Sequence, residues 1–166
     1  SCRDLLENFG GHTYAAGLSL KEENLDAFTQ RFLKLAADEI IPEQITPQID
    51  IDAVLDLQDI NAKFMSELKK MNPFGPDNQK PVFCSLGVKD YGTSKLVGKD
   101  LEHIKLELID DKSNTPIHGI AFGMHQHNTH IKNMKPFNIC YTIEENTYNG
   151  NTSLQLMVKD IKENDI

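Results

Sequence analysis

The 166-residue chain carries 17 Lys and Arg against 25 Asp and Glu, a formal charge of −8, with 39% hydrophobic and 25% charged residues and no Trp. This is the composition of an ordinary soluble globule long enough to bury a core. No run approaches the ~20 apolar residues of a membrane span, and the net charge excludes a uniformly basic nucleic-acid glove.

The charge is uneven. Residues 1–79 hold 7 basic and 14 acidic side chains, and residues 80–166 hold 10 and 11, so the second part is nearly neutral and has room for a local basic stripe. Arg3 and Arg31 are the only arginines, and both lie outside that part. Cys2, Cys84 and Cys140 are odd in number and far apart. They form neither a metal spacing nor a disulfide framework, which points to reduced thiols in a cytoplasmic protein. The start, Ser1 to Leu6, has neither the basic end nor the apolar centre of a signal peptide and reads as the end of a helix.

Asn8 to Gly17 packs three glycines and two alanines into ten residues. Gly10 and Gly11 allow positive φ and a close approach of backbone to a ligand, and His12 brings an imidazole that can donate to a phosphate. A tight turn with a surface histidine remains the plain alternative. Leu18 to Leu20 reads as a buried strand. Ser19 and Glu22 have capping-box spacing, and Leu25, Phe28, Phe32 and Leu35 follow with helical period, so a helix is expected over about 20–38. Pro42 and Pro47 bracket an extended linker.

Ile49 to Leu55 alternates apolar and acidic residues and reads as a half-exposed strand. Asp50, Asp52 and Asp56 are then solvated carboxylates rather than metal ligands, because alternate strand residues point outward without converging. Asp59 is the expected cap of a helix with Ile60, Phe64, Leu68 and Met71 on one face. Met71 to Phe83, with three prolines and a glycine, is a rigid corner anchored by Phe74.

From Val82 the pattern is all β, with strands expected at 82–88, 93–97, 103–109, 117–122, 137–144 and 153–161. Asn149-Gly150 is a hairpin turn. Ile131 to Met134 suggests a short helix before the strand at 137. Short strands at this spacing predict an α+β but mainly β chain, with a five-stranded OB-like barrel that includes the early strand 49–55.

Two stretches resemble a known family. Phe9-Gly10-Gly11-His12 with Ala15-Ala16-Gly17-Leu18 is similar to the Gly-Gly-His motif of the DHH-associated domain in DHH phosphoesterases. The helix ending in Asn72-Pro73-Phe74-Gly75, followed by Pro81-Val82-Phe83, resembles the entry to the OB domain of the RecJ-type single-strand-specific exonucleases of that superfamily. The resemblance spans essentially the whole chain. It implies a C-terminal fragment, with residues 1–43 ending a DHH-associated domain and 44–166 forming an OB domain. The implied parent hydrolyses single-stranded DNA from its 5′ end in repair and recombination, with Mn²⁺ or Mg²⁺ held by residues absent from this chain. No catalytic residue is therefore expected here, and the fragment should be inactive alone. Implied partners are single-stranded DNA, the single-stranded-DNA-binding protein and a recombination helicase. Gly10, Gly11 and His12 carry over as a grip on the DNA backbone.

The barrel candidates are Lys89, Tyr91, Lys95, Lys99, His103 and Lys105, with Tyr148 and Asn149 closing the other side. OB folds bind single strands with lysines along the backbone and aromatics beneath the bases. The residues alone leave solvated lysines equally open; the resemblance favours DNA. A barrel that docks the acidic tail of the single-stranded-DNA-binding protein is the alternative. A phosphodiesterase acting on short oligonucleotides or cyclic dinucleotides is a third reading, opposed by the long β segment. Histidines 125, 127 and 130 have a spacing that could ligate zinc or manganese, but with no Cys or Asp nearby they read as a polar loop, and His118 as a packed or rim histidine.

Overall fold

A computed structural model describes residues 1–113 and 115–163, without the side chains of Glu43 and Tyr148. The chain divides into two compact units, 1–49 and 50–166.

The first unit is a hairpin and a helix. Strands β1 (Asn8–His12) and β2 (Ala15–Ser19) pair antiparallel, with His12 opposite Ala15 and Gly11 opposite Ala16. Both strands are exposed along their length, so Leu18 is not the buried strand residue expected. Two strands present too little surface to close a core. Gly10 and Gly11 lie within β1 rather than in a turn, and neither has positive φ. Gly11 is required for a different reason: a Cβ there would stand 2.7 Å from the Ala15 carbonyl oxygen.

Helix α1 (Leu25–Glu39) begins later than the expected residue 20, after a 3-10 turn at Glu22–Asn24. No capping box forms at Ser19; the Asn24 side chain donates instead to the Leu5 carbonyl at 3.3 Å. Residues 3–5 make one 3-10 turn, not a helix end. The apolar side of α1 and the hairpin enclose a groove of about 690 Å³ lined by Phe9, Leu18, Phe28 and Phe32. The expected linker after Pro42 folds instead into one helical turn, α2 (Pro42–Ile45), because Pro at the first helical position costs no hydrogen bond.

The second unit is a barrel. Its elements are β3 (Ala53–Val54), α3 (Ala62–Lys69), β4 (Phe83–Asp90), β5 (Lys95–Val97), β6 (His103–Ile109), β7 (Ile117–Ala121), α4 (Asn128–Lys132), β8 (Phe137–Tyr148) and β9 (Asn151–Glu163). Strands β4, β8, β9, β7 and β6 follow one another around the sheet, and a β4–β6 pairing closes the ring. The five-stranded, mainly β expectation is met, but by a different set of strands. The segment 49–55 contributes only β3, which lies parallel to β4 outside the ring. β5 likewise adds to β6 from outside. α4 crosses between β7 and β8, starting earlier than the helix expected at 131–134.

Strict alternation makes the core. Ile104, Leu106 and Leu108 of β6 are fully buried and meet Val88, Phe137, Tyr141 and Leu156 from the other ring strands. The Ser85 hydroxyl donates to the Leu55 carbonyl at 2.7 Å, so its oxygen accepts from the Tyr141 hydroxyl, also at 2.7 Å. That pair ties the chain beside β3 to β4 and β8, and burial pushes the Tyr141 hydroxyl up to about 12. Asn149 and Gly150 have φ of 50° and 81°, as a type I′ turn demands. Asn61, not Asp59, caps α3, its side chain accepting from the backbone of Lys63 and Phe64 at 3.0 and 3.1 Å. Asp59 ends a 3-10 turn at Leu57–Asp59.

Candidate nucleic-acid interface

His12 ends β1 in the first unit. Its Nδ1 accepts from the Tyr14 backbone at 3.3 Å, and its ring meets that of Tyr14 edge to face. The imidazole is exposed, and no hydrogen bond engages its Nε2 among the described residues.

The remaining candidates lie on the barrel. Register places Lys95 of β5 opposite Lys105 of β6, Lys105 opposite Ile120 of β7, Ile120 opposite Met157 of β9, and Met157 opposite Thr142 of β8. One row thus runs across five strands, basic and exposed at Lys95 and Lys105, apolar and half-buried at Ile120 and Met157, and buried at Thr142. Two like charges directly opposite each other repel. Lys95 and Lys105 are both exposed, and no ion pair within 4.0 Å engages them or Lys99 among the described residues. Lys89, by contrast, is held by Asp111 at 3.0 Å. Tyr91 is half exposed, its backbone N–H donating to the Glu107 carbonyl at 2.8 Å. Asn149 sits at the tip of the β8–β9 hairpin; the Tyr148 side chain lies outside the described part.

His103 is committed on both sides. Its Nδ1 accepts from the Gly123 backbone at 3.0 Å, which leaves the proton on Nε2, 3.2 Å from Glu102 Oε1. Glu102 Oε2 also accepts from the Asp100 N–H at 3.0 Å; the backbone N–H of Glu102 itself, with that of Asp100 behind it, holds the carboxyl below the ordinary glutamate range against a small opposing effect of burial. Phe122 meets the His103 ring at 4.9 Å. Sequence reasoning missed Phe122, Ile120 and Met157, because their place beside the lysines depends on strand register. The signal available was the outward phase of Ile120 and Phe122 against buried Ala121.

At the end of β4, Asp90 pairs with the core residue Leu108 and is buried, with Oδ1 accepting from the Ser94 N–H at 3.1 Å. Lys132 of α4 lies 3.6 Å from its other oxygen. Burial works to raise the Asp90 carboxyl but is outweighed by hydrogen bonds from Ser94 and Gly92 and by Lys132, so it sits below the usual range. His127 and His130 both face Glu163, at 2.8 and 3.1 Å, joining the region of α4 to the end of β9. His118 is a rim residue of the outer face, 3.6 Å from Glu107. Among the described residues no group of three or more His, Cys, Asp or Glu is arranged to hold a metal ion.

The ring order, the parallel β7–β9 pair and the helix between β7 and β8 define an oligonucleotide/oligosaccharide-binding (OB) domain. A family model described as the RecJ OB domain matches residues 51–160, and the chain belongs to that family. It is similar to the single-stranded-DNA-specific exonuclease RecJ of Bacillus subtilis (strain 168), at 29% identity over 96% of this chain and 20% of that protein. The RecJ of Salmonella typhimurium is 28% identical over 95% of this chain and 27% of its own length. The crystal structure of RecJ in complex with Mn²⁺ from Thermus thermophilus superposes with a TM-score of 0.78 at 21% identity, covering 100% of this chain and 23% of that one, which supports the fold. The chain thus spans 20% and 27% of the two curated relatives named here.

Proposed function

We propose that this chain is the substrate-guiding part of a RecJ-type exonuclease that degrades single-stranded DNA from its 5′ end in repair and recombination. The observation that carries the reading is the opposed pair Lys95 and Lys105, exposed, without an ion pair among the described residues and beside an apolar strip. Ammonium groups held in such a row lower their mutual repulsion when phosphates come between them, and binding releases counterions from the strand. Lys99 extends the basic end in the turn after β5, and His12 with Gly10 and Gly11 grips the backbone near the scissile bond in the parent. Residues 1–43 complete the DHH-associated domain under this reading, and 44–166 form the OB domain. Hydrolysis with Mn²⁺ or Mg²⁺, the ions of the Thermus thermophilus RecJ complexes, takes place on residues outside this chain. The chain alone is inactive, and its setting is the cytoplasm.

Fluorescence anisotropy of a labelled single-stranded oligonucleotide at low and moderate salt tests the reading. Binding should weaken with salt, and Lys95→Ala/Lys105→Ala should flatten the log–log slope by about 0.7 for each phosphate no longer neutralised. Absent or salt-insensitive binding by the folded chain would overturn it. A second reading is favoured by the acidic first half and by the scarcity of arginine, with none in residues 80–166. In it the barrel docks the acidic tail of a single-stranded-DNA-binding protein, and titration with such a tail peptide separates the two; a recombination helicase is a further partner of the parent under either reading.

A further inference from the structure

We infer that Phe122 is a base-stacking platform on the DNA-guiding face and that His103 is the residue that positions it; the inference rests on the proposed reading of the barrel as a guide for single-stranded DNA. Phe122 follows β7 directly and is 55% exposed, whereas its neighbour Ala121 is fully buried. An isolated exposed phenylalanine is commonplace. This one is held. The residue after it, Gly123, donates its N–H to His103, and the imidazole is itself tied to Glu102. The His103 and Phe122 rings then meet at 4.9 Å with an interplanar angle of 80°. In either sense of an edge-to-face contact, at least one face of the Phe122 ring stays open. A ring fixed before the ligand arrives gives up little rotamer freedom on binding.

The surroundings select a nucleotide as occupant. Phe122 lies two residues beyond Ile120, which is opposite Lys105, and Lys105 is opposite Lys95. Diagonal neighbours on adjacent strands are about 7–8 Å apart, within reach of long side chains. One nucleotide can therefore lay its base on Phe122 and its phosphate against Lys105. A flat π-face stacks on any base, so the contact supplies affinity without sequence preference. Tyr91 is about as exposed as Phe122, but among the described residues only its backbone is anchored by a hydrogen bond and no companion ring meets it to set its angle.

The test compares the 166-residue chain on two labelled oligonucleotides of equal length, one of thymidines and one of abasic sugars. The folded wild type should prefer the thymidine strand. Phe122→Ala should weaken binding on the order of tenfold on thymidines and not at all on the abasic strand. Phe122→Tyr should keep the preference, and His103→Ala should reduce it without changing the salt slope. Salt-dependent binding equal on both strands, or a Phe122→Ala deficit equal on both, would overturn the stacking role and leave the DNA-guiding reading intact. A wild type that binds neither strand would overturn both, and Phe122-dependent capture of an acidic peptide would then assign the ring to a protein partner.

Discussion

Residues 1–49 and 50–166 devote similar proportions of chain to regular structure and end in different physical states. The barrel closes on itself, so each inward side chain of β6 meets others from across the ring, and Ile104, Leu106 and Leu108 are shut away from water. The first unit sets one amphipathic helix beside a two-stranded hairpin, and none of its described residues is buried. Phe9, Leu18, Phe32 and Ile40 stay about half exposed along its groove. Amphipathic patterning is the same in both. Stability comes from whether a second layer exists to receive the apolar side.

The sharpest break of this comparison is a pair of truncations. Leu106→Ala removes a side chain that is 0% exposed and should destabilise the chain by about 2–5 kcal/mol in urea unfolding. Phe32→Ala removes a larger side chain that is 53% exposed and should cost under about 1 kcal/mol. Equal effects would mean that the helix in the first unit is as well packed as the barrel, contrary to its exposure.

Carboxylates sharpen the contrast at intermediate size. Asp90 and Asp4 are both held below the ordinary aspartate range, the first in a buried turn and the second by Arg31, whose Nη1 lies 2.6 Å from it on an exposed surface. A carboxyl whose value is lower in the folded state contributes stability that is complete above its unfolded value, ~3.9, and lost as pH falls through the folded one. Asp90→Asn should therefore cost about 1.5–3 kcal/mol at neutral pH. Its deficit against wild type should shrink as pH drops below about 4. Asp4→Asn should leave the melting temperature where it was, since the exposed pair is screened by solvent. A deficit at Asp90 that persists unchanged into acid would show that the side chain acts through shape and not charge.

Which of this was legible in the sequence follows the same division between local and distant causes. The Asn149-Gly150 hairpin and the β6 alternation were readable because turn chemistry and period two act over a few residues. The apolar period of α1 was readable, but its start was not: Asn24 turns its side chain to Leu5, nineteen positions away. The segment 49–55 has a strand's alternation, yet β4 finds its ring partners in β8 and β6 and leaves that segment outside. The lysines were visible as residues. Their union into one row with Ile120 and Met157, and the seat of Phe122 on His103, required a register that no single strand encodes.

A smaller difference than that between Asp90 and Asp4 concerns helix starts. α3 opens at Asn61, whose side chain satisfies two backbone N–H groups, with Ile60 buried just before it. Asn61→Ala should cost about 1 kcal/mol, because the two amides are left without their acceptor beside a packed helix. α1 follows Asn24, whose side chain caps nothing and makes one 3.3 Å bond to Leu5 in an open unit. Asn24→Ala should cost only about 0.5 kcal/mol, the lower end for a hydrogen bond that water can replace. Thermal melts of the two variants under one buffer measure the difference. Were Asn24→Ala the more harmful, the Leu5 link would be what holds the first unit together, and the helix there would depend on tertiary support rather than on its own cap.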